Sequence, residues 1–164
     1  MLYLCLKYLH VIAAIFLFGF GMGSYLYLIA ASHTRNPQVI AHVARMVVRY
    51  DTWITTPAGF IQIITGYLLL ELTGLALTTA WVTTALVIFL CVGSLWLPVL
   101  VLQKRLHELA STAVEAGTKL DERYLPVYRK WFWMGVCGFS GMFVIVMIMV
   151  TKMTPLQWVD LWKG

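Results

Sequence analysis

The stretch LTGLALTTAWVTTALVIFLCVGSLWLPVLVLQ, residues 72–103, carries no formal charge from end to end. Roughly 20 apolar residues of helix cross a hydrocarbon core about 30 Å thick, so this stretch is long enough to span a bilayer. Residues 8–34, 52–70 and 131–151 are equally free of charge. Lipid offers no partner to a bare amide or carbonyl, so each stretch must satisfy its backbone internally, as a helix. The expected fold is an all-α membrane protein: one domain over 1–164, a four-transmembrane-helix antiparallel bundle with spans at about 4–31, 53–74, 80–103 and 128–152.

Composition agrees. The chain is 61% hydrophobic and only 12% charged, against about 25% charged in a soluble domain. Its net charge of +5 reads as membrane topology rather than nucleic-acid binding, because basic residues collect in cytoplasmic loops. Arg35, Arg45 and Arg49 lie between spans one and two. Lys104, Arg105, Lys119, Arg123, Arg129 and Lys130 lie between spans three and four. Together these are nine of the twelve basic residues. Both termini are therefore expected in the periplasm and both basic loops in the cytoplasm of a bacterial inner membrane. No signal peptide is expected, since residues 8–31 are too long for an h-region.

Local signals punctuate the spans. Gly19 and Gly23 form a GxxxG pair that lets a neighbouring helix approach closely, and Gly135, Gly138 and Gly141 form a second strip of small residues. Asn36-Pro37 is a helix start, with Asn as cap and Pro in the first turn. From there a helical pattern leads into span two, where Pro57 predicts a bend: its ring removes a donor and clashes with the carbonyl of Trp53. Thr55, Thr56 or a neighbour is expected to compensate. Thr154-Pro155-Leu156-Gln157 has capping-box spacing ahead of a short surface helix. Cys5, Cys91 and Cys137 read as small buried apolar residues with no disulfide.

Few residues could carry chemistry. His10 lies inside the first apolar stretch, where polar groups face the bundle interior. It reads either as a haem iron ligand or as a neutral imidazole bonded to a neighbouring span. Gln62 reads as an interhelical hydrogen bond, or as a contact to the edge of a porphyrin or quinone. Arg45, Arg49 and Asp51 read as interface ion pairs or lipid-phosphate contacts, or as a basic docking patch for porphyrin propionates, which the bidentate Arg fork suits. His33, His42 and His107 have no metal-ligand spacing. Met149 belongs to a methionine-rich span four, mostly packing filler, from which a second axial ligand could come.

Read in order, the motifs resemble a known pattern. Leu6-Lys7-Tyr8-Leu9-His10-Val11 opens span one. Asp51-Thr52-Trp53-Ile54-Thr55-Thr56-Pro57-Ala58-Gly59 enters span two and Thr65-Gly66-Tyr67-Leu68 leaves it. Trp96-Leu97-Pro98-Val99 through Lys104-Arg105 closes span three. Along nearly its whole length the chain resembles an uncharacterised family of small bacterial four-span inner-membrane proteins. More distantly it is similar to the HemJ family of haem-containing protoporphyrinogen oxidases. There a histidine matching His10 is the expected haem ligand, and a "tPa…tG" signature matches Thr56-Pro57-Ala58 and Thr65-Gly66. A lysine follows the opening tryptophan of span three in HemJ proteins; here Val82-Thr83-Thr84-Ala85 follows Trp81.

The resemblance implies haem b held by His10, in a pocket for which Gln62, Tyr67, Thr83 and Met149 are the candidates. It also implies a redox or porphyrin-related role, with quinone as electron acceptor in the HemJ-like enzyme. The alternatives are an assembly or anchor subunit of a larger membrane complex, as a homo-oligomer or with other subunits, and an accessory protein of solute or metal export.

Overall fold

The computed structural model describes residues 1–163. Four helices are long and apolar enough to cross a membrane: α1 (Leu2–His33), α2 (Pro37–Thr73), α3 (Ala80–Glu115) and α4 (Tyr124–Thr151). A short α5 (Pro155–Lys163) follows. The described residues contain no strand, and short connections make successive long helices antiparallel, as expected. The helices outrun the expected spans. At 1.5 Å per residue, the 37 residues of α2 extend about 55 Å, so α2 and α3 project well beyond a hydrocarbon core on the side that carries the basic loops.

The punctuation works as the sequence suggested. Asn36 caps α2, its Oδ1 accepting from the Gln38 amide at 3.0 Å, with Pro37 in the first turn. Gly74 ends α2 at φ +66°, a left-handed conformation that suits glycine. The Thr154 amide donates to Gln157 Oε1 at 2.7 Å, completing the capping geometry of α5. In the loop before α4, the Arg123 guanidinium sits 2.7 Å from Asp121 and holds that carboxyl down, to about 2.

Pro57 has a sharper effect than a bend. The backbone just before it, Asp51–Thr55, widens into a π turn. Thr56 Oγ1 donates to the Asp51 carbonyl at 2.9 Å, the hydroxyl compensation expected of a proline within a span. A second π turn, Phe16–Phe20 in α1, has no proline and no sequence signal. The two π turns pack against each other. Single π turns inside helices recur at functional sites.

The bundle consists of two helix pairs. On the side of the termini, the first half of α1 packs along the second half of α2. On the basic side, the first half of α2 packs on α3, and α3 packs along α4. The core lies on that basic side, where Leu28, Ile40, Leu106 and Trp131 are fully buried. The Tyr25 ring packs tilted against Trp131, with ring centroids 4.8 Å apart, and its hydroxyl donates to the Phe132 carbonyl at 2.7 Å.

The small-residue strips need correcting. A Cβ at Gly19 or Gly23 would meet nothing within 4 Å, so this GxxxG pair does not pack inside the bundle. It is Gly21, between them, that faces Thr55 and Phe139. In α4, Gly135 admits the Tyr25 ring and Gly141 admits Val92, while Gly138 faces open space. The three cysteines are free, and they lie on the bundle surface rather than in the core.

Candidate functional site

Two polar clusters lie within the bundle. The first contains His10. Gln62 Nε2 lies 2.9 Å from His10 Nε2, and Thr65 Oγ1 lies 2.9 Å from His10 Nδ1. The Thr65 hydroxyl donates to the Ile61 carbonyl at 2.6 Å, so it has no proton left for the ring. Nδ1–H therefore donates to Thr65, and Nε2 accepts from the Gln62 amide. This is a neutral, fully satisfied imidazole, the interhelical reading of both His10 and Gln62. Gly66 makes room for the ring: a Cβ there would lie 3.2 Å from His10 Cε1.

Haem b can be weighed against this geometry. Iron needs a free nitrogen lone pair. Both ring nitrogens are taken, by Thr65 and Gln62, and the ring edge rests on the Gly66 backbone. In this arrangement the residues do not fit a haem. The other candidates are elsewhere engaged or lie open. Thr83 donates to the Leu77 carbonyl at 2.6 Å, holding the start of α3. Tyr67 is on the bundle surface, and Met149 is half-buried on α4. His33 and His42 are exposed, and the described residues contain no group of three His, Cys, Asp or Glu able to hold a metal.

The second cluster was not foreseen. Asp51 is 0% exposed rather than an interface ion pair. Its Oδ1 accepts from Ser24 of α1 and Thr55 of α2, both at 3.0 Å, and its Oδ2 accepts from Gln103 of α3 at 2.9 Å. Three donors converge on the carboxyl. No cationic side chain lies within ion-pair distance of it; among the described residues the one ion pair is Arg123–Asp121. The π turn that starts at Asp51 puts Asp51 and Thr55 together on the inner face. Gln103 reaches them because α2 and α3 pack on the basic side.

This cluster borders a half-open cavity of about 300 Å³ between the helix pairs, which reaches the bundle surface at Phe60 and Leu97. Phe60, Phe89, Trp96 and Phe139 are among its walls, and Asp51, Thr55 and Gln103 are among its few polar residues. Of the α2 and α3 residues around it, Asp51 and Gln103 lie nearest the basic ends of their helices. An ionisable group buried in the interior of a membrane-protein bundle is costly, and marks a binding or transport site by default. An apolar pocket with a few convergent polar groups is the usual form of a small-ligand site.

A family model described as "Predicted integral membrane protein (DUF2269)" matches residues 4–153. The chain belongs to this family. The DUF2269 match spans all four long helices, including His10, Asp51 and Gln103. No curated protein and no solved structure matches this DUF2269 chain, so the likeness to HemJ rests on the quoted motifs alone.

The sequence held one usable sign of the Asp51 site. Asp51 and Thr55 are four residues apart, one helical turn, ahead of a proline that loosens the backbone. Nothing in the sequence linked them to Gln103, 52 positions away.

Proposed function

We propose that this chain is a membrane-embedded binding protein for a small apolar ligand, taken up between its two helix pairs and held at Asp51. The observation that carries this reading is a fully buried carboxyl group without a cationic partner, bordering an aromatic-lined cavity. Quinones and porphyrins are the ligand classes that the resemblance implies, so a short-chain ubiquinone analogue is the first probe. In nanodiscs it is expected to quench the fluorescence of Trp96 saturably, read as the difference between the protein and its Trp96→Phe variant. Gly138→Leu is expected to abolish the quenching, because Gly138 lines the cavity and a Cβ there meets nothing. That variant should fold normally and be slightly more stable, by about 0.5–1 kcal/mol, since leucine replaces a helical glycine. Quenching that never saturates, or that survives in Gly138→Leu, would remove the reading.

Haem b at His10, with a HemJ-like redox role, is the second reading, supported by an imidazole inside the first span at the position the HemJ motif expects. It requires the Gln62 amide to turn away from Nε2. A Soret band in purified protein that is lost in His10→Ala would establish it, and protein that stays colourless when haem is supplied would eliminate it. For either reading we propose a bacterial inner-membrane location with both termini periplasmic, on the nine-to-three division of basic residues. An alkaline phosphatase fused after residue 164 is then expected to be active, and one fused at residue 117 inactive; the reverse pattern would invert the topology.

A further inference from the structure

The hydrogen-bond inventory around Asp51 says more about the ligand, if the cavity is the binding site proposed above. A carboxylate only accepts. With Asp51 ionised, the Gln103 amide turns its Nε2 toward Asp51 Oδ2, at 2.9 Å. That choice leaves Gln103 Oε1 buried with no partner, on a residue only 2% exposed. The neighbouring donors are committed. The Ser24 and Thr55 hydroxyls serve Asp51, the Thr56 hydroxyl serves the Asp51 carbonyl, and the Tyr25 hydroxyl serves the Phe132 carbonyl. What the site lacks is a positive charge and at least one hydrogen-bond donor.

Each ligand class can be set against that deficit. A quinone suits the aromatic walls, but its carbonyl oxygens accept in a site already rich in acceptors, so it is expected to bind through the walls alone and more weakly than a cation. The propionates of a porphyrin would add negative charge. A bare alkali cation would suit Asp51 and Gln103 Oε1 but would leave the aromatic walls without a role. An ammonium brings both the charge and up to three donors, and its apolar body suits Phe60, Phe89, Trp96 and Phe139. Aromatic faces also attract cations.

We infer that the ligand is a small organic cation, an ammonium carried on an apolar body, which bonds to Asp51 Oδ2 and Gln103 Oε1 with its body between the aromatic walls of the cavity. The inference rests on the cavity reading and is tested separately from it. Protein in nanodiscs of zwitterionic lipid is titrated by calorimetry with 4-phenylbutylammonium, with the neutral 4-phenylbutanol, and with the short-chain ubiquinone analogue. The ammonium is expected to bind at least about tenfold more tightly than the alcohol. That preference should collapse in Asp51→Asn and weaken in Gln103→Met, which removes the orphan acceptor at similar side-chain length. Unchanged helical circular dichroism in both variants keeps loss of binding distinct from loss of fold. Equal binding of ammonium and alcohol, or a preference that survives in Asp51→Asn, overturns the cation. Should all three probes bind saturably and with equal strength, and Gly138→Leu block them all, the cavity stands and the cation falls. Should none bind saturably, the cavity reading itself fails.

Discussion

Asp51→Asn is expected to give a folded protein that has lost the charged part of its ligand affinity, about 100-fold or ~3 kcal/mol, because a buried charge would be left without its partner. The fold survives for a reason visible in the cluster. Asparagine keeps one oxygen for Ser24 and Thr55. Its amide can donate to Gln103 Oε1 once the Gln103 side chain turns over, which keeps that hydrogen bond and leaves Gln103 Nε2 rather than Oε1 as the unpartnered end. Asp51→Leu should behave differently. It would strand the Thr55 hydroxyl and the Gln103 amide in the interior, at about 1–3 kcal/mol for each unsatisfied group. Ser24 is less affected, because its hydroxyl already lies 3.0 Å from the Gly21 carbonyl. Calorimetric titration and thermal unfolding of both variants should therefore separate binding from stability. Equal destabilisation by Asn and Leu would contradict the hydrogen-bond account.

Gly135→Val is expected to cost stability on the order of 3 kcal/mol from overpacking. Any Cβ at Gly135 would overlap the Tyr25 ring, coming within 2.8 Å of its Cζ. The ring has nowhere to go, held by its hydroxyl on the Phe132 carbonyl and by the Trp131 ring tilted against it. Gly138, one turn further along the same helix, faces open space. Thermal unfolding in detergent should show a large fall for Gly135→Val and none for Gly138→Leu. Similar falls for both would mean that the α1–α4 contact is not as described.

That contrast shows what the sequence could and could not convey. The charge-free stretches fix four helices because lipid allows nothing else, and caps such as Asn36 and Gly74 act within a few residues of their own position. Gly135 and Gly138 look alike in sequence; only the position of Tyr25, contributed by another helix, distinguishes them. The same holds for the site. His10 and Gln62 were legible as polar residues in apolar helices, and the structure brings them together. Asp51 was misread as a member of an interface ion pair because it directly precedes the charge-free residues 52–70. The π turn that rotates it inward, and its long-range partners Ser24 and Gln103, arise from tertiary packing.

The most direct test of the Asp51 cavity as the functional centre is photolabelling in nanodiscs with a phenyl-diazirine that carries a short alkylammonium. Labelled positions are read by peptide mass spectrometry, with and without excess 4-phenylbutylammonium. The account predicts competable labels on cavity residues such as Phe89, Trp96, Phe139 and Met142. Labels confined to surface residues such as Trp53, Val101 and Val150, unaffected by the competitor, would contradict it.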